Sequence, residues 1–126
     1  QDIENISEET ALLAFQGRNA ERALQTLTPH NLQDIKFYWF ANTEVAGVQA
    51  MIARTGYTGE DGFEVMVSEG EAPRLWSALM DAGEPYGIQP IGLGARDTLR
   101  MEMKFCLYGN DIDESAHPIE AGLGWI

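Results

Sequence analysis

The sequence has one cysteine, two histidines and only 8 basic residues in 126. Each shortage excludes something. A lone Cys106 leaves no internal disulfide and no cysteine-clustered zinc site. His30 and His117 stand far apart, and neither belongs to a metal-ligand spacing such as H-x-x-x-H, so metal catalysis is not expected. Against 20 acidic residues the few bases leave a formal charge of -12. Such a surface repels the phosphate backbone of a nucleic acid, and an anionic membrane face for the same reason. No apolar run approaches the roughly 20 residues of a membrane-crossing helix. The polar, acidic opening from Gln1 to Glu9 is neither a secretory signal nor an Arg-rich transit peptide. Nucleic-acid and membrane partners are therefore not expected, and the compartment expected is a reducing one.

What is present suits a globular chain. Hydrophobic residues make up 44%, enough for a core, and the length fits one domain, 1–126. No repeat, linker or low-complexity tract divides it. Ala11 to Phe15 is a short apolar run that reads as a buried strand. Ala20, Ala23, Leu24 and Leu27 recur at helical spacing over 18–27, and Pro29 stops that helix. The aromatic run Phe37-Tyr38-Trp39-Phe40 within 35–41 predicts a core strand. A polar turn at Asn42-Thr43-Glu44 would return it through 45–54 as a hairpin. Gly59-Glu60-Asp61-Gly62 reads as a tight turn before a strand at 63–67, whose faces are Phe63/Val65/Val67 and Glu64/Met66. Residues 71–82 place Ala72, Leu75, Trp76 and Leu79 in register, and Gly83 ends that helix. A short strand is expected next, then a third helix over 91–103 with Ala95, Leu99 and Met103 on one side. The predicted class is α+β: a mixed or mostly antiparallel sheet covered by two to three helices.

The ends carry a separate expectation. Residues 118–126 form an apolar, strand-like finish, and Gln1 is not an initiator Met. Both suggest a piece of a larger protein whose apolar edges meet neighbouring domains, or each other by self-association.

Two constellations could carry chemistry. In Arg54-Thr55-Gly56-Tyr57-Thr58-Gly59-Glu60-Asp61-Gly62-Phe63-Glu64, glycines bend the chain between two strands, set Tyr57 on a loop and bring out Glu64 just beyond. In Gly92-Leu93-Gly94-Ala95-Arg96-Asp97-Thr98-Leu99-Arg100-Met101-Glu102, a Gly-rich approach opens a helix with Arg96 in its first turns. A carboxylate and an arginine suit a planar heterocycle with donors and acceptors. The adjacent N–H and NH₂ of a pterin edge match an ionised Glu, and Arg offers a fixed fork of donors. Tyr57 would supply an aromatic wall with a polar tip. The plainer readings are a solvent-facing strand glutamate and a helix laced with surface ion pairs. A dinucleotide loop at 92–94 is set aside because the third glycine of G-x-G-x-x-G is Asp97. His117, before Pro118, reads as a structural or solvated turn residue.

The runs RTGYTGEDGFE (54–64), GLGARDTLRME (92–102), CLYGNDIDE (106–114) and PIEAGLGW (118–125) closely resemble the aminomethyltransferases of the glycine cleavage system, the T-proteins. The opening LLAFQGRNAERALQTL (12–27) resembles the start of that family's central region, with Arg18 where a proline is commoner. The resemblance spans nearly the whole chain. It implies that the intact enzyme moves a one-carbon unit from the aminomethyl-lipoyl arm of H-protein to tetrahydrofolate and releases ammonia. By motif, Glu64 resembles the family's pterin-binding glutamate, Arg96 its substrate-binding arginine and Tyr57 a tyrosine beside the folate. Phe105 falls where some members place an aromatic of the pocket and others a small or apolar residue. The resemblance also implies that the catalytic aspartate and a C-terminal β-barrel lie outside 1–126. No catalytic residue is therefore expected in this chain, and by itself it is expected to be inactive. Similar scaffolds serve dimethylglycine- and sarcosine-oxidising enzymes, demethylases, and non-catalytic folate-binding proteins that assist iron–sulfur maturation. CLYGNDIDE favours the glycine system, and the Lys-Gly-Cys-Tyr-like motif of the non-catalytic relatives is replaced by Arg54-Thr55-Gly56-Tyr57. The compartment implied is the cytoplasm, or the mitochondrial matrix in a eukaryote.

Overall fold

A computed structural model describes residues 3–126; Gln1 and Asp2, at the head of the acidic opening, lie outside the described residues. The chain forms two compact units that part between Pro90 and Ile91. In the first, strands β1 (Thr10–Gln16), β2 (Phe40–Val45), β3 (Val48–Ala53) and β4 (Gly62–Ser68) build one sheet in the order β1-β4-β3-β2. Every pairing is antiparallel. Helices α1 (Ala20–Gln25) and α2 (Ala72–Gly83) share a single hydrophobic core with the sheet. The α+β class is as expected, and the sheet is wholly antiparallel rather than mixed.

Alternation along the strands decides which side is buried. Phe63, Val65 and Val67 of β4 are buried, while Glu64 and Met66 point the other way. Phe15, Ile52, Leu24 and Leu75 join them in the core, and burial of this kind supplies most of the stabilisation. On α2 the expected stripe holds for Leu75 and Leu79, but Trp76 is exposed. Pro73 is accommodated because the first turn of a helix has no N–H bond to lose.

The hairpin differs from expectation. Val45 faces Val48, so the turn is Ala46-Gly47, with φ of 52° and 76°. Two successive left-handed residues make the two-residue turn whose twist matches a β-ribbon. Asn42-Thr43-Glu44, expected as the turn, lies within edge strand β2, where polar side chains are tolerated because one side of the strand meets solvent. The shifted register also overturns the core-strand reading of the aromatic run. Phe37, Tyr38 and Trp39 precede β2 in a turn, with Tyr38 at φ 67°, and all four aromatics from Phe37 to Phe40 are exposed.

The second unit contains α3 (Leu93–Glu102) followed by turns. The short strand expected before it is instead the 3-10 turn Glu84–Tyr86 of the first unit. Residues 118–126, expected as strand-like, form turns closed by bonds such as Leu123 N–H to the Pro118 carbonyl at 2.9 Å. Pro118 has no N–H to give a ladder, and Gly122, at φ 75°, turns the backbone away from an extended course. Ala95 and Met103, expected on the apolar side of α3, are exposed, and the buried residue of that helix is Arg100. Among the described residues no helix is long and apolar enough to cross a membrane.

Candidate functional site

Two of the predicted site residues belong to the first unit. Glu64 sits mid-strand in β4 on the sheet face that α1 and α2 do not cover. Register places it in a row with Ala14 of β1 on one flank and Ala53 of β3 on the other, and Phe40 of β2 lies beyond Ala53. The neighbouring row is Leu12, Met66, Met51 and Asn42. Directly opposed side chains in a sheet stand about 5 Å apart. Alanines carry nothing beyond Cβ, so the carboxylate rises beside two shallow places, with apolar side chains around it and Asn42 at the β2 edge. Within the first unit it pairs with no described side chain, which leaves its acceptor lone pairs available.

Tyr57 is half-buried in the loop between β3 and β4. Three residues that sequence reasoning did not single out, Asp61, Glu21 and Gln16, hold this loop together with Arg54. Arg54 forks onto Asp61, Nε to Oδ1 at 3.0 Å and an Nη to Oδ2 at 2.6 Å, closing the loop at its base. The same guanidinium reaches Glu21 of α1 at 2.6 Å and lies over the Phe63 ring, 5.2 Å from its centroid. The Asp61 carboxylate, and after it Glu21, hold the Arg54 pKa above its usual value against the opposing effect of burial. Inside the loop, the Gln16 side chain donates to the Thr55 carbonyl at 3.0 Å and the Phe63 carbonyl at 3.2 Å. The available signal is the placement of opposite charges, Arg54 and Asp61, at the two ends of a glycine-rich stretch.

The other two predicted residues belong to the second unit. Arg96 is exposed on the first turns of α3, its backbone N–H bonded to the Gly92 carbonyl at 3.2 Å. Phe105 follows the helix; its N–H donates to the Arg100 carbonyl at 2.9 Å, and its own carbonyl accepts from the Arg100 guanidinium at 3.2 Å. Arg100, only 4% exposed, also donates to Asp97 at 2.7 Å and pairs with Asp111. The Leu107 N–H and the Arg100 guanidinium together hold the Asp111 carboxyl below its usual pKa. Arg100 therefore ties α3 to the 105–111 loop and fixes where Phe105 leaves the helix. His117 is a turn residue, its Nδ1 accepting from the Ile119 N–H at 3.2 Å. No group of three or more metal-capable side chains gathers among the described residues.

The first unit thus offers a carboxylate with apolar neighbours on the open sheet face, and a loop that carries Tyr57. The second offers an exposed guanidinium on a helix anchored by the buried Arg100 and its two half-exposed carboxylate partners. Taken by itself, the first suits a planar heterocycle with donors along one edge, and the second suits an anionic group.

The chain is 52% identical over 124 residues to an aminomethyltransferase of Halothermothrix orenii, covering 98% of this chain and 35% of that protein. It is 55% identical over 126 residues to an aminomethyltransferase of Bacteroides fragilis, with 99% and 35% covered. The chain spans about a third of the length of these relatives. Its fold is shared with the glycine cleavage system aminomethyltransferase T of Bartonella henselae, at TM-score 0.56 and 23% identity over 95% of this chain and 55% of that one. It is also shared with heterotetrameric sarcosine oxidase from Corynebacterium sp. U-96, at TM-score 0.60 and 18% identity over 69% of this chain and 44% of that one. The profile of the GCVT N-terminal domain matches residues 1–126. The chain belongs to the GCVT N-terminal domain family.

Proposed function

We propose that this chain is the folate-binding region of a larger aminomethyltransferase, which passes a one-carbon unit from the aminomethyl-lipoyl arm of H-protein to tetrahydrofolate and releases ammonia in glycine cleavage. The observation that carries the proposal is Glu64: an acceptor-only side chain, half-buried between Ala14 and Ala53 on an apolar sheet face. An ionised carboxylate in that position accepts two parallel hydrogen bonds from the N–H and NH₂ of a pterin edge, and the apolar floor takes the ring face. By motif resemblance Tyr57 is assigned beside the folate, Arg96 to its ring oxygen or distant carboxylate, and Phe105 to the position of a pocket aromatic in some family members. Family membership and the names of the relatives support this assignment.

The folate acts as acceptor and supplies the nucleophilic nitrogen; this chain's residues bind and orient it. The acid–base group beside that nitrogen belongs, in this reading, to a segment outside 1–126, so the isolated chain does not catalyse transfer. Loss of one such group costs on the order of 10²–10⁴ in rate. The proposal places the enzyme in the cytoplasm, or in the mitochondrial matrix of a eukaryote. A second reading is the folate-binding region of a dimethylglycine- or sarcosine-oxidising enzyme, and the fold shared with a sarcosine oxidase is compatible with it. The complete protein, given lipoylated H-protein, glycine-derived aminomethyl groups and tetrahydrofolate, is expected to form 5,10-methylenetetrahydrofolate and ammonia. Product formation from sarcosine or dimethylglycine, and none from the H-protein donor, would overturn the assignment.

A further inference from the structure

We infer that Gln16 is a positioning residue that sets the Tyr57 loop for ligand binding; the ligand's identity rests on the functional reading above. Gln16 closes β1, and its amide lies inside the loop that joins β3 to β4. Nε2 donates to the Thr55 carbonyl at 3.0 Å and the Phe63 carbonyl at 3.2 Å, while Oε1 accepts from the Thr58 hydroxyl at 3.1 Å. These partners bracket Tyr57 on both sides and reach the residue just before Glu64. A Cβ at Gly56 would come 1.8 Å from Oε1, and one at Gly62 would come 2.7 Å from the amide carbon. The two glycines of the motif are therefore the space the amide occupies.

The chemistry is specific to an amide of this length. Two carbonyls require a donor and a hydroxyl requires an acceptor, and Gln offers both at one end. A carboxylate there would face two carbonyl oxygens, and a methionine would satisfy none of the three. The amide differs from a simple core filler because it links the Thr55 carbonyl and the Thr58 hydroxyl of the loop to the Phe63 carbonyl at the start of β4, so its loss changes where the loop rests while leaving the core under β1 and β4 in place. Arg54 and Asp61 clamp the base of the same loop from outside, and Gln16 holds Thr55 and Thr58 on either side of Tyr57.

The test uses the complete protein, with Gln16→Met and Thr58→Val measured alone and combined with Tyr57→Ala. Tetrahydrofolate affinity is read by calorimetry, global stability by thermal unfolding, and loop order by tryptic cleavage of the Arg54–Thr55 bond under native conditions. Gln16→Met is expected to weaken tetrahydrofolate on the order of tenfold and Thr58→Val about threefold, the scale of one to a few lost hydrogen bonds. In the Tyr57→Ala background each loss shrinks to less than about twofold, because the residue being positioned is gone. Cleavage after Arg54 accelerates at least about fivefold in Gln16→Met at temperatures well below unfolding, a local opening. An unchanged affinity, or losses that simply add to that of Tyr57→Ala, overturns the inference. Should the unsubstituted protein bind no tetrahydrofolate, the functional reading fails by itself. Cleavage then decides for Gln16, an unchanged rate counting against it. Should Gln16→Met not fold, Thr58→Val carries the same comparison.

Discussion

The two units are held together by opposite means. In the first, the buried set from Phe15 to Leu79 is almost wholly apolar, and its fully buried members include Phe63, Leu24, Leu32, Ile52 and Leu75. In the second, the buried residue is an arginine, and its partners are the carboxylates of Asp97 and Asp111 and the Phe105 carbonyl. The first is therefore a platform whose geometry depends on packing and changes little with pH. The second depends on a charge that must stay paired, so its order follows the ionisation of its carboxylates. The surroundings of Glu64 are therefore fixed by packing, and the setting of Phe105 within its own unit is conditional on that charge.

The largest expected effect tests the packed side of this contrast. Phe63→Ala removes a wholly buried ring on an inner strand of the sheet and should cost about 3–5 kcal/mol in urea unfolding. A loss below about 1 kcal/mol would mean that the platform is not held by this core. Next, Arg100→Leu leaves Asp97 and Asp111 facing each other without a cation. Hydrogen exchange of the 97–111 amides should accelerate at least about tenfold, with protection in β3 and β4 unchanged. Equal acceleration in both units would erase the distinction between them.

Acidification sharpens the same comparison. The folded-state pKa of Asp111 is depressed, so the stability it contributes is present above its ordinary value of 3.8 and is lost as pH falls through the lower folded value. Protection of the 105–111 amides should therefore fall below about pH 4, ahead of β4. In Asp111→Asn that pH step should disappear. The smallest effect concerns the hairpin. Ala46 adopts φ 52°, a region that suits asparagine better, so Ala46→Asn should stabilise the first unit by about 0.5–1 kcal/mol in thermal unfolding.

Legibility follows the range of the interactions. Alternation in β4 is local, and by itself it separates Phe63, Val65 and Val67 from Glu64. The stripe of α2 is equally plain for Leu75 and Leu79. The hairpin misleads because Ala46-Gly47 lacks the usual Asn-Gly or Asp-Gly signal, while Asn42-Thr43-Glu44 looks like a turn and is an edge strand. The same displacement draws the aromatic run 37–40 into the expected core. Arg100 reads from sequence as a surface helix residue because its partner Asp111 lies in a later loop, and no periodicity links the two. Gln16 gives no local signal for the same reason, since Thr55, Thr58 and Phe63 become its neighbours only after β1 and β4 pair. Glu64, Arg96, Tyr57 and Phe105 are proposed through motif resemblance alone, and for them the structure supplies the elements and loops on which they sit.

Recognition of a pterin edge by the Glu64 carboxylate is the central claim, and tetrahydrofolate binding to the complete protein and its Glu64→Ala variant tests it most directly. Removing the carboxylate should raise the Kd by roughly 5- to 150-fold, equivalent to about 1–3 kcal/mol of charge-assisted hydrogen bonding, with unfolding behaviour preserved. An unchanged Kd would contradict the claim and take Glu64 out of the site.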